Sequence, residues 1–164
     1  MTGVEAVLAE LEATGQMPSF FLADFSDSDL TVCPLDGANH AAWQVGHLIA
    51  AERFLLSINL SGAAYEPLAG DFEKVHSRDN TAKQGCEGFL TKEKYLELFQ
   101  KTRAATCAAV KNLSDKDLDA PSKGPLAQKA PTLGKLLLLV CQHTLMHLGQ
   151  WSVIRRKLGK PILF

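Results

Sequence analysis

His143 and His147 stand four residues apart in the stretch His143-Thr144-Leu145-Met146-His147. On a helix that spacing sets both imidazoles on one face, one turn apart, able to grip a single ion. Spacing alone is a weak signal, but the surroundings strengthen it. At about 100° per residue the same face carries Leu136, Leu139, Val140, Gln150, Trp151 and Ile154, so the two histidines lie inside an apolar stripe. His47 shares a helical face with Trp43, Ala50, Ala51, Phe54 and Ile58 and points into the same core. Three buried imidazoles without partners cost on the order of 1–3 kcal/mol each. A shared metal ion removes that penalty and adds binding energy. Three neutral nitrogen donors with no fourth protein ligand leave an open coordination position, the arrangement of a reactive site. On periodicity alone the other reading stays open: the rings hydrogen-bond to hydroxyls, carbonyls or water and hold nothing.

Other side chains near this pattern are weaker candidates. Trp43 reads as core or as a wall of a substrate pocket. Gln150, one turn beyond His147, suits a contact with a ligand or a substrate. His40 sits two turns before His47, at the mouth of its helix; it is a pocket candidate, with an exposed first-turn histidine as the plainer expectation. His76 falls in a long loop and has no assignable role. No general base is identifiable, so the catalytic residues are unassigned. Phosphate-binding glycine loops, HExxH and GxSxG are absent.

The elements that must position these residues are helical, and no strand-like alternation lasts. The first helix is expected from Gly3 to about Asp24, kinked or broken at Pro18. The second starts at Asn39 as N-cap and runs to about Asn59. The third opens after Thr91. The fourth starts near Thr132 and stops at Gly159, with Arg155, Arg156 and Lys157 in its last turn. Between helices two and three lies an irregular crossover, about Ser61 to Leu90, equally a surface link or a pocket cover. Phe25-Ser26-Asp27-Ser28-Asp29-Leu30 is echoed by Leu113-Ser114-Asp115-Lys116-Asp117-Leu118. The serine and aspartates are turn and cap chemistry, and the echo suggests a pseudo-two-fold internal repeat of two helical halves. The expected fold is all-α, one four-helix-bundle domain over residues 1–164 with a long helix 2–helix 3 crossover.

Composition narrows the function classes. Seventeen basic and eighteen acidic residues give a net charge of −1, which leaves no surplus to neutralise phosphates, so no nucleic-acid partner is expected. The longest apolar run, Leu136 to Cys141, is far short of a spanning helix, so no membrane partner is expected. The acidic N-terminal stretch is unlike a signal peptide, and the scattered Cys33, Cys86, Cys107 and Cys141 read as free thiols, Cys33 and Cys86 in loops. A soluble cytoplasmic protein is the expectation. Gly134, Leu138, Cys141, Leu145, Leu148 and Ser152 form a second stripe opposite the histidines, and helix two has a weaker one in Val45, Ile49 and Leu56, interrupted by Glu52. A homodimer through helices two and four would cover both.

The stretch Asn39-His40-Ala41-Ala42-Trp43-Gln44-Val45-Gly46-His47-Leu48 resembles the helix-two motif of the DinB-like (YfiT-like) metalloprotein superfamily. His143-Thr144-Leu145-Met146-His147-Leu148-Gly149-Gln150, followed by Arg155, Leu158, Gly159, Lys160 and Pro161, resembles its helix-four motif. The resemblance implies a four-helix bundle holding a divalent metal, often nickel or zinc, through His47, His143 and His147. It also implies a metal-dependent enzyme of thiol-dependent S-transferase or hydrolase type, with a small-molecule substrate and a low-molecular-weight thiol as co-substrate; the alternative is a non-catalytic, stress-associated metal-binding protein. Relatives often carry two adjacent histidines shortly before the Gly-Gln of helix four, whereas here Met146 precedes His147.

Overall fold

The computed structural model describes residues 1–81 and 88–163; Cys86 and the rest of the 82–87 part of the crossover lie outside the described residues. Four long helices dominate: α1 (Gly3–Phe21), α2 (Ala41–Ser57), α4 (Lys92–Val110) and α5 (Leu133–Lys157). The single turn α3 (Phe72–Val75) lies in the crossover, and short 3-10 turns cover Asp29–Thr31, Arg78–Asn80 and Asp115–Asp119. No strand occurs among the described residues, where Pro121 and Thr132 form one isolated bridge. None of these helices is long and apolar enough to cross a membrane. α1 and α2 each pack against both α4 and α5, so α1 and α2 face each other across one diagonal of the bundle and α4 and α5 across the other.

The helix ends follow from local chemistry. Thr2 and Glu5 form a capping box on α1, and Thr91 and Thr132 accept from the third residues of α4 and α5. Gly159 takes φ +67 just past α5, where a side chain would be strained. Two expectations are corrected. α1 runs through Pro18 without the expected break, because a proline so near the end removes only one donor, and Leu22 N–H still reaches Pro18 O at 3.1 Å. The N-cap of α2 is His40, not Asn39: the His40 Nδ1 accepts from Trp43 N–H at 3.1 Å.

The two Ser-Asp-x-Asp turns make matching bonds. Ser26 and Asp29 bond each other, as do Ser114 and Asp117. The intervening aspartate in each turn caps a different helix. Asp27, just after α1, accepts from Lys92 N–H at the start of α4 at 2.7 Å. Asp115, just after α4, accepts from Gly3 N–H at 3.1 Å and Val4 N–H at 2.9 Å at the start of α1. α1 and α4 therefore finish one another.

The core has two apolar halves. One gathers Val7, Leu11, Leu56, Val110, Leu136 and Leu137; the other gathers Phe25, Val45, Ile49, Phe99, Trp151 and Ile154. Between them each long helix contributes buried polar groups. Arg103 donates to the Glu52 carboxylate from Nε (3.1 and 3.2 Å) and Nη2 (3.0 Å). It also donates to Leu11 O (2.9 Å), Thr14 Oγ1 (2.8 Å) and Thr144 Oγ1 (3.2 Å). Thr106 O–H donates to Glu52 at 2.7 Å. One guanidinium thus ties all four helices, with both charges 3% exposed.

The helix-two stripe expected at a dimer interface is already used. Val45, Ile49 and Leu56 are each 0% exposed within the chain, because α2 packs against α4, α5 and the crossover turn α3. On α5, Cys141 and Leu148 are likewise buried, while Leu138, Leu145, Met146 and Val153 remain open.

Candidate metal centre

His47 on α2 and His143 and His147 on α5 converge. Their ligand atoms all lie within 4.8 Å of one another, and no carboxylate or thiol joins them among the described residues. The Nε2 atoms of His143 and His147 are 3.2 Å apart. Metal–nitrogen bonds of about 2.1 Å put neighbouring ligand atoms roughly 3.0–3.4 Å apart in octahedral or tetrahedral geometry, so this pair is spaced for one ion. A small closure by His47 would complete a three-ligand set. The donor set therefore fits a divalent ion that accepts imidazole.

The far side of the rings fixes their tautomers. His47 Nδ1–H donates to the main-chain oxygen of His76 at 3.2 Å. His147 Nδ1–H donates to Gln44 Oε1 at 2.9 Å, and Gln44 Nε2–H donates to Asn39 O at 2.7 Å. Both rings thus turn an Nε2 lone pair toward the common point, the usual way outer partners orient a metal-ligating histidine.

Electrostatics keep the rings neutral. Burial, then the neighbouring His47 and the charge of Arg78, lower the His143 pKa to about 4. Burial, then His143 and His47, lower that of His147 to about 3, against a hydrogen bond to Gln150. Burial also lowers His47, opposed by its bond to His76 and reinforced by Arg78. Neutral imidazole is the ligating form. His47 and His143 are half-buried and His147 is buried, so the centre is open on one side.

The remaining predicted positions are placed as follows. Trp43 is buried and stacks on His47, rings 4.7 Å apart and 9° from parallel. Gln150 is exposed, within reach of His147. His40 is 1% exposed rather than solvent-facing, because Phe89 of the crossover packs edge-on against it at 4.5 Å. Its Nε2 and the Trp43 Nε1 are buried with no hydrogen-bond partner among the described residues.

Sequence reasoning missed Gln44 and His76. Gln44 lies within the α2 motif, close in angle to the metal face, and that spacing was the available signal. His76 is 1% exposed. Its Nδ1–H donates to Phe72 O at 2.7 Å, and Tyr95 O–H donates to its Nε2 at 2.6 Å. Burial lowers its pKa to about 4, against the bond to Phe72 and with the nearby His47 and His40. The ring fills the space left by Gly46, where a Cβ would come within 2.0 Å of it.

No curated protein matches the chain. Solved structures that share its fold include two from Bacillus. YfiT from Bacillus subtilis, described as a probable metal-dependent hydrolase with an unusual four-helix bundle topology, aligns with TM-score 0.68 and 21% identity, covering 96% of this chain and 89% of its own. A DinB-like protein from Bacillus cereus aligns with TM-score 0.67 and 20% identity, covering 99% and 95%. The family model of the DinB superfamily matches residues 10–151, and the chain belongs to that superfamily.

Proposed function

We propose that this DinB-superfamily protein holds a divalent metal ion, nickel or zinc, through His47, His143 and His147, and works as a metal-dependent enzyme of hydrolase or thiol-dependent S-transferase type. The observation that carries this reading is the convergence of three neutral imidazoles with their outer nitrogens tied to His76 O and Gln44 Oε1. When bound, such an ion supplies Lewis-acid chemistry, acidifying water or a thiol and polarising a carbonyl. The protein's own part is positional. Gln44 and the His76 carbonyl hold two ligands in one tautomer. Trp43 backs His47 with a flat apolar face, and Gln150 stands at the exposed edge beside His147. All three ligands are neutral, so the ion keeps its full charge and favours an anionic partner such as a thiolate. The relative described as a probable metal-dependent hydrolase supports the hydrolytic variant.

A cytoplasmic location and a homodimer belong to the same proposal. The dimer now rests on α5 alone, where Leu138 and Leu145 are each 40% exposed beside Met146 and Val153. Sedimentation that finds only monomer at micromolar concentration removes it.

Metal analysis of protein purified without a histidine tag tests the centre: about one equivalent per chain is expected, lost in His143→Ala. Incubating the loaded protein with low-molecular-weight thiols and electrophiles, and separately with esters and amides, then asks for turnover. Stoichiometric metal without turnover on either panel favours the second reading, a metal-binding protein without catalysis; the feature on its side is that no carboxylate joins the cluster among the described residues.

A further inference from the structure

The crossover reaches the metal centre as a fixed wall. His76 anchors it: its ring occupies the slot at Gly46, bonds Phe72 O and Tyr95 O–H, and stands edge-on to Tyr95 at 5.6 Å. The main-chain oxygen of this same residue takes His47 Nδ1–H. Two residues later the chain turns over Arg78–Asn80. The end of this turn is also tied down, since Asn80 Nδ2–H donates to Lys74 O at 2.6 Å. Arg78 is therefore carried on anchored backbone immediately beside His47.

The Arg78 side chain is exposed and makes no hydrogen bond or ion pair with any described residue. Nearly every other arginine near the core is engaged: Arg53 with Thr102 and Glu66, Arg103 with Glu52, Arg155 with Asp24. The Arg78 side chain starts two residues beyond the carbonyl that holds His47, and its charge bears on His47 and His143, the two half-buried rings. The guanidinium is thus within electrostatic reach of the two half-buried rings that border the open side of the triad. A cation there adds to the charge of an ion held by three neutral ligands, and among the described residues no carboxylate joins the cluster to offset it. An arginine fork also matches the two oxygens of a carboxylate or phosphate.

We propose that Arg78, carried on the anchored crossover turn, is the specificity residue of the centre: it recognises an anionic group, carboxylate or phosphate, on a small substrate whose other end reaches the three histidines. This rests on the metal-dependent reading above and names the substrate class for it. Arg78 is a recognition residue and takes no part in bond making.

The test uses the full chain loaded with cobalt(II), whose absorption reports both occupation of the triad and coordination of a thiolate. The probes are mercaptopropionate (carboxylate), mercaptomethylphosphonate (phosphonate), mercaptoethanol (neutral) and cysteamine (cationic). Each is titrated against wild type, Arg78→Ala and Arg78→Lys. An anionic thiol can chelate cobalt by itself, so the readout is the change on substitution. Arg78→Ala is expected to weaken at least one anionic thiol by about five- to tenfold, the scale of a partly shielded charge-assisted contact. It should leave mercaptoethanol unchanged, and Arg78→Lys should recover part of the loss. Which anionic probe responds separates carboxylate from phosphate recognition. Equal binding of both anionic thiols by wild type and Arg78→Ala overturns the proposal, as does cobalt-loaded protein that binds no probe. Failure to hold cobalt, with a native far-ultraviolet spectrum, overturns the metal-centre reading itself and this proposal with it.

Discussion

Gly46→Ala is the sharpest perturbation the structure offers, because two principles predict opposite signs. Gly46 lies inside α2, and replacing a helix-interior glycine by alanine ordinarily stabilises by about 1 kcal/mol. Here the added Cβ would fall 2.0 Å from His76 Cδ2, 2.3 Å from Nε2 and 2.5 Å from Cγ, so the ring must leave its slot. Leaving it forfeits the bonds to Phe72 O and Tyr95 O–H, at about 1 kcal/mol each. Overpacking and repacking around the displaced ring cost a further 1–3 kcal/mol or so. Net of the helix gain, the loss should be about 2–4 kcal/mol. Urea unfolding of metal-free protein measures it. The decisive comparison is a double-mutant cycle with His76→Ala. In that background the slot is empty, and Gly46→Ala should be neutral or stabilising. An unchanged midpoint for Gly46→Ala alone, or the same cost with and without His76, would refute the steric argument.

Three further outcomes are expected. Gln44→Leu should lower metal affinity by about 10–100-fold, measured by competition with a chelating dye, because His147 loses the acceptor that fixes its tautomer. Glu52→Gln should cost about 3–5 kcal/mol in urea unfolding, since it leaves the Arg103 charge buried and uncompensated; a loss below about 1 kcal/mol would show that the neutral amide, Thr14 and Thr144 suffice. Metal-free protein should lose stability as pH falls. His143 and His147 are depressed to about 4 and 3 in the fold, whereas an unfolded histidine titrates near 6.5, so the unfolded chain binds more protons between those values. The histidine contribution is therefore complete above about pH 6.5, declines below it, and levels off once the folded rings protonate. Denaturation midpoints at closely spaced pH values, compared with the His143→Ala variant, would show it.

What could be read from the sequence was what local spacing encodes. The α5 boundaries follow from Thr132 after Pro131 and from Gly159, and the four-residue step of His143 and His147 within an apolar stripe turned both rings toward the core, where His147 is buried and His143 half-buried. His47 was read from the helical face it shares with Trp43 and then matched by the family motif, although Phe54 and Ile58 on that face are exposed. What escaped depends on segments distant in sequence. His40 was expected in solvent because nothing on its own helix covers it; Phe89, nearly fifty positions along, does. His76 had no role until the crossover was seen seated against Gly46. Glu52 appeared only as an interruption of an apolar stripe, and its meaning lay in Arg103 on another helix. The helix-two face assigned to a second subunit was misread for the same reason: an apolar stripe does not say which neighbour covers it, and here α4, α5 and α3 leave it no free area.

The exchange of aspartates between α1 and α4 has a consequence for how the molecule is made. Donors in the first turn of α1 wait for Asp115, which a ribosome adds only after most of the chain has emerged. A polypeptide cleaved within the crossover would give two pieces, each holding the carboxylate that the other one needs. Such pieces should be poorly ordered apart and recover helicity on mixing, which makes the crossover a natural place to split this protein into a complementing pair.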